Sequence, residues 1–140
     1  MCRRQNEADT AKPIKKVEGE QFDQHNINLL SILSPKKLGF PRSEGSDLWG
    51  WTDHKSGRNY ALMTLSSGTA FVDISNGKRP NVIGKLPSAT GASFWRDIKT
   101  YKNHAFIVSD QNGRHGLQIF DLKQLRKAKK KSIFKPDSHC

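Results

Sequence analysis

The sequence lacks the features that mark a disulfide-stapled domain or a membrane-spanning protein. Its two cysteines, Cys2 and Cys140, stand at the extreme ends, and neither belongs to a Cys-x-x-Cys pair. The sequence does not exclude a disulfide between them, but free thiols at the termini are the simpler prediction. No apolar run approaches the roughly 18 residues of a membrane span. Met1–Glu20 carries charge without an apolar stretch, so a secretory signal is not predicted there.

Motifs for metal binding and covalent catalysis are also missing. None of the five histidines falls in HxxxH or HExxH spacing. A hairpin with Asp110 in its loop would bring His104 and His115 together as a metal site, but ordinary hairpin histidines are the favoured interpretation. Gly91–Trp95 holds half of a nucleophile elbow, because Trp95 stands where the second glycine is needed. The sequence therefore predicts no catalytic residue, no metal and no cofactor.

The stretch Asp110–Gly113 has the alternating oxygens that open a calcium-binding loop. The later bidentate glutamate is missing, because no Glu follows in the sequence. A β-turn explains these four residues, and we predict one there.

The charge is strongly basic and unevenly placed. The chain has 24 Lys and Arg against 13 Asp and Glu, a formal net charge of +11. Seven of those basic residues lie in 122–140, most densely in Lys127–Lys131, with only one acidic residue. Such a run is compatible with phosphate contacts to nucleic acid or an anionic lipid surface. A solvated helix end or tail is the favoured interpretation, so nucleic acid is not the expected partner.

A strand–turn–strand pattern is present twice. Asn59–Met63 and Gly68–Ser75 form the first copy, and Asn103–Val108 and Gly116–Leu122 form the second. The copies are offset by 44 residues at their asparagines and by 48 at the aspartates Asp73 and Asp121. A period of roughly 40–50 residues made of short strands is typical of a β-propeller blade. The predicted fold is all-β, a partial β-propeller of about two blades.

Around this pattern we predict a disordered leader over residues 1–24, the partial propeller over 25–122 and a basic, helical tail over 123–140. Ile27–Leu33 is expected to be a strand and Ser34–Gly39 a helical turn. A helix is expected from Leu122 to Lys131. The other expected strands are 48–51, 60–65, 69–74, 82–86, 95–101, 104–109 and 117–121.

Several aromatic and polar side chains lie near predicted strand ends, where a propeller mouth would present them to a ligand. The alternative, which we favour for the tryptophans, is packing of one blade against the next. The candidate ligand-binding residues are Trp49, Trp51, Trp95, Arg96, His104, Asp110 and His115.

A family resemblance follows from five segments taken together: Gly45–Trp51, Gly68–Ser75, Thr90–Lys99, His104–Asp110 and His115–Leu122. Together they resemble the N-terminal part of the choice-of-anchor B family, a β-propeller group with LVIVD-type repeats. The resemblance extends from about Ile27 to Arg126 and so covers most of the chain.

The resemblance implies an extracellular or surface-attached propeller, anchored by a segment that differs among family members. Two blades do not close a ring of four or more, so we expect this chain to be a piece of a longer protein. The expected function is a non-enzymatic interaction module whose partner is a protein or a glycan. The alternative is a hydrolase or lyase site completed by further blades, to which His104, Asp110 and His115 would contribute.

Overall fold

The computed structural model describes residues 16–17, 20–21 and 25–140, and the chain divides into two units, 1–32 and 33–140. In the first unit, β1 (Lys16–Val17) pairs antiparallel with β2 (Glu20–Gln21). The leader predicted over residues 1–24 lies almost entirely outside the described residues.

The second unit consists of two mostly antiparallel sheets and almost no helix, which confirms the all-β class. The first sheet has the order β10-β6-β5-β4-β3, and the second has the order β11-β9-β8-β7. The strands of the first sheet are β3 (Gly45–Asp53), β4 (Arg58–Leu65), β5 (Gly68–Asp73), β6 (Asn81–Pro87) and the short parallel edge strand β10 (Ser132–Ile133). Those of the second sheet are β7 (Arg96–Tyr101), β8 (His104–Ser109), β9 (Gln118–Asp121) and β11 (Ser138–His139).

The hairpin turns follow from local chemistry. Between β3 and β4 the N–H groups of Ser56 and Gly57 both donate to the carbonyl of Asp53, and Gly57 adopts a positive φ of 70°. Gly68 opens β5 where a Cβ would meet the carbonyl oxygen of Leu86 and the ring of Phe40. These turns set the register that places Leu62 opposite Phe71.

The two sheets pack face to face over a shared aromatic core. Trp51 stacks on Tyr60 within the first sheet, with ring centroids 5.3 Å apart. Phe71 of the first sheet stacks on Phe120 of the second at 4.7 Å. Phe134, which follows β10, meets both of these phenylalanine rings edge-on or inclined. The core therefore joins both sheets and the C-terminal segment.

The outer faces of the two sheets differ. The outer face of the first sheet carries Ala70 and Val72, and the turn containing Leu38 and Phe40 covers it. On the second sheet the outer face carries Val108, which is 40% exposed. Only the first sheet is buried on both sides by residues 33–140.

Two local predictions need correction. Ile27–Leu33 forms no strand; Leu33 instead packs as irregular chain against the first sheet. The helix expected over 122–131 is a 3₁₀ helix at Leu122–Lys127, capped by the side chain of Asp121. A 3₁₀ helix aligns residues three apart, which suits the buried pair Leu122 and Leu125.

The segment predicted as a basic tail adds a strand to each sheet. β10 lies along β6, and β11 lies along β9. Phe134 lies between them and fixes the segment by inserting its ring into the core. Across the described ranges, no helix has the length and apolar character needed to cross a membrane.

Candidate functional site

The first strands of the two sheets, β3 and β7, meet along a polar seam. The Ser46 hydroxyl accepts the backbone N–H of Arg96 at 3.0 Å, and Asp47 Oδ2 accepts that of Ile98 at 3.1 Å. Thr100 lies against the same strand, where it accepts the Nε1–H of Trp49 at 3.1 Å. The partners are about 50 residues apart, so equivalent strands of the two sheet copies lie side by side.

The loop that leads into β7, residues 88–95, is held by hydrogen bonds to neighbouring segments. Ser93 is central: its hydroxyl donates to the carbonyl of Asp110 at 2.7 Å and accepts the N–H of Trp95 at 3.1 Å. The N–H of Asp110 in turn donates to the carbonyl of Trp95 at 2.8 Å. Further along, Asn112 Nδ2 donates to the carbonyl of Gly91 at 3.0 Å. This network fixes the backbone on which the aromatic side chains stand.

Two large aromatic side chains project from this loop into solvent. Phe94 is 58% exposed and Trp95 is 64% exposed. Beside Trp95 lies a depression of about 180 Å³, bordered also by Ser46, Asp97 and Asp110. We call Phe94, Trp95 and this depression the aromatic platform. It combines a wide apolar ring surface with carboxylate oxygens that can accept hydrogen bonds.

Arg96 follows the platform in sequence but turns inward. Its side chain is buried, and Nη1 donates to the Ser88 hydroxyl at 2.9 Å. The same Nη1 lies 3.2 Å from Nε2 of His115. Burial lowers the pKa of Arg96 to about 10, which still leaves the guanidinium charged at neutral pH.

His115 is fully buried beside that guanidinium, and its surroundings favour the neutral imidazole. Nδ1–H donates to the carbonyl of Gly116 at 3.0 Å, which leaves Nε2 free to accept from Arg96. Burial, followed by the positive charge of Arg96, lowers the pKa of His115 below its ordinary value. Arg96 and His115 thus form a polar support beneath the platform.

This support is incompletely paired. Nε and Nη2 of Arg96 and Oε1 of Gln118 are buried and have no hydrogen-bond partner among the described residues. Because these atoms are sealed from solvent, a solute does not reach them while the sheets stay packed. Arg96 borders the depression, but its guanidinium is buried, so Arg96 and His115 support the platform from below.

The three tryptophans have three different environments. Trp51 is buried in the core and stacks on Tyr60 of the same sheet. Trp49 is partly exposed, and the ammonium of Lys99 lies 4.5 Å from its ring centroid. Only Trp95 presents most of its ring to solvent.

The structure does not bring His104, Asp110 and His115 together in one site. His104 begins β8 opposite Tyr101, whereas Asp110 follows the last residue of that strand. His115 contacts Arg96, which is paired with Ser109 at the Asp110 end of β8. Within the part of the chain that the structure describes, no three His, Cys, Asp or Glu side chains are grouped to hold a metal.

Sequence reasoning identified Trp95 and Arg96 but missed the serines that position them. Ser46, Ser88 and Ser93 each bond to a residue of the platform or its support. Serine is common in loops, so nothing in the local sequence distinguished these three. No protein-family model, no curated protein and no solved structure matches this chain.

Proposed function

We propose that this chain is a non-enzymatic interaction module built from two consecutive blades of a β-propeller. Three features support the blade interpretation. Each sheet begins with consecutive antiparallel strands, the sheets pack face to face, and their first strands β3 and β7 are neighbours. The resemblance to choice-of-anchor B propellers supports the same proposal and implies a module that works outside the cell or on its surface.

The observation that carries the binding function is the aromatic platform. Phe94 and Trp95 expose more than half of their surface while their loop is hydrogen-bonded to the strand and turn beside it. A fixed loop loses little conformational entropy when a partner binds, and exposed Trp side chains often dominate binding energy.

The partner is a protein or a glycan. An aromatic ring can stack on the apolar face of a sugar or accept an apolar side chain of a protein. The carboxylates of Asp97 and Asp110 border the depression, where they can accept hydrogen bonds from hydroxyl or amino groups. This chemistry favours a partner rich in donors over an anionic one.

Replacing both rings tests the platform directly. The variant Phe94→Ala/Trp95→Ala should change the free energy of unfolding by less than about 1 kcal/mol, because both rings are largely exposed. In titrations with a panel of neutral oligosaccharides and lysine-rich peptides, the native chain should show a change in tryptophan fluorescence that is lost in this variant. Tyr101→Ala, which removes another exposed ring, should retain binding.

Two results would contradict the proposal. The first is a large loss of stability in the double variant, which would show that the rings are packing groups. The second is binding that is equally strong in the native chain and in the double variant.

A further inference from the structure

A second surface lies on the outer face of the first sheet, away from the core between the sheets. A groove of about 430 Å³ runs between the turn that carries Lys36, Lys37 and Leu38 and the strands β6 and β10, of which β10 is the edge strand. We call it the lysine groove. Its volume falls within the range of small-molecule sites, roughly 300–1,000 Å³.

The described residues that line the groove include several lysines. Lysines reach it from all three of its walls: Lys36 and Lys37 from the turn, Lys85 from β6, and Lys131 from the residue before β10. No acidic side chain is among the described residues that line it. The positive charges of Lys36, Lys85 and Lys131 around one concavity attract an anion and disfavour a cation.

One of these lysines is held in place. Nζ of Lys85 donates to the carbonyl of Gly39 at 2.7 Å and lies 5.0 Å from the centroid of the Phe40 ring. Its charge is therefore fixed at the inner wall by contacts with the turn. The groove thus has a preorganised positive charge in addition to the more exposed lysines at its rim.

The lining between the lysines is apolar. Leu38 and Val82 belong to the cluster that covers the outer face of the first sheet, and they extend that apolar surface into the groove. Ile133 of β10 continues it and is 70% exposed. Ile133 pairs with Lys85 in register, so an apolar side chain and a cationic one lie on adjacent strands.

We propose that the lysine groove binds a small amphipathic anion, an acyl chain that ends in a carboxylate. The lysines would contact the carboxylate, and the chain would cover Leu38, Val82 and Ile133. This site lies apart from the aromatic platform, whose border carries carboxylates, and the two have opposite charge preference. The failure of one proposal leaves the other standing.

The test uses the full 140-residue chain and three probes measured by calorimetric titration. Dodecanoate, below its micelle concentration, carries both the charge and the apolar chain. Inorganic phosphate carries charge alone, and dodecyl maltoside carries the chain alone. We expect saturable binding of dodecanoate that weakens as salt increases, and much weaker binding of the other two probes.

Variants locate the site. Lys36→Gln/Lys131→Gln should weaken dodecanoate binding by roughly five- to tenfold, because each exposed ion pair contributes a modest amount. Ile133→Ser should also weaken it. Lys55→Gln, at an exposed hairpin outside the groove, should bind like the native chain, and unchanged near-UV circular dichroism would show that each variant is folded.

Several outcomes overturn the proposal. Equal binding of dodecyl maltoside would show hydrophobic adsorption without charge recognition. Equal binding of phosphate would show an anion site that ignores the acyl chain. No binding of dodecanoate, or binding unaffected by the double lysine variant, would exclude the groove as the site.

Discussion

The two sheets are built to the same plan but are buried to different extents. In the first sheet, Phe71 faces the shared core while its neighbour Val72 faces the covering turn, so both sides of β5 are buried. In the second sheet, Ile107 faces the core while its neighbour Val108 is partly exposed. The same repeated pattern therefore contains β5, which is buried on both faces, and β8, which is fully buried on only one face.

The difference shows what the repeat does and does not specify. Alternating side chains ensure that one face of each sheet reaches the shared core. Whether the other face is covered depends on a segment outside the repeat. For the first sheet that segment is the turn with Leu38 and Phe40. The two proposed binding surfaces, the aromatic platform and the lysine groove, also lie outside the shared core.

The largest effect is expected from opening the core between the sheets. Phe71 is fully buried and stacks on Phe120. Phe71→Ala should reduce the free energy of unfolding by about 3–5 kcal/mol, measured by urea denaturation. Tyr101→Ala, an exposed aromatic control, should have little effect. A loss below about 1 kcal/mol for Phe71→Ala would mean that the sheets do not share this core.

A smaller effect is expected from the ion pair that links the β3–β4 turn to the 3₁₀ helix. Asp53 is buried and accepts from Nε and Nη2 of Arg126 at 2.9 and 2.7 Å. Asp53→Asn should lower the free energy of unfolding by about 1–3 kcal/mol, because it weakens a buried charge-assisted pair.

The same pair predicts a pH dependence. The hydrogen bonds from Arg126 hold the pKa of Asp53 well below its ordinary range. The pair therefore stabilises the fold fully above the unfolded pKa of about 3.9, and this stabilisation is lost as the pH falls towards the folded pKa. Asp53→Asn should lose less stability than the native chain on acidification below about pH 5. Parallel acid sensitivity in the two proteins would contradict this assignment.

The smallest expected effect comes from comparing two valines on the outer faces of the two sheets. Val72 is 3% exposed on the outer face of the first sheet, and Val108 is 40% exposed on that of the second. Val72→Ala should cost about 1.5 kcal/mol of unfolding free energy, the value of two buried methyl groups. Val108→Ala should change it by less than about 0.5 kcal/mol. Equal losses would show that the two outer faces are equally covered.

Much of the fold was predictable because it is local. For example, β8 begins and ends at the residues expected from the sequence, His104 and Ser109. The edge strands β10 and β11 were not predictable, because two residues carry no periodicity. Phe134 was the available signal, as one large apolar residue in a basic segment.

The site was predictable only in part. Trp95 and Arg96 were both candidate residues in the sequence. In the fold, the Trp95 side chain is exposed to solvent and the Arg96 side chain is buried. The lysine groove was missed because its residues come from three separate segments, the turn, β6 and β10. Only the tertiary fold brings them together. The sequence instead drew attention to the dense run Lys127–Lys131, of which only Lys131 reaches the groove.

The central claim is that the two sheets form one cooperative unit around one core. Native-state hydrogen exchange tests it most directly, using the backbone N–H groups of Leu62 in β4 and Ile107 in β8, which lie in the middle strands of the two sheets. Both should exchange with the same free energy of opening, equal to that of global unfolding. The account would be contradicted if Ile107 exchanged with a much lower free energy of opening while Leu62 stayed protected. That result would show that the second sheet unfolds alone.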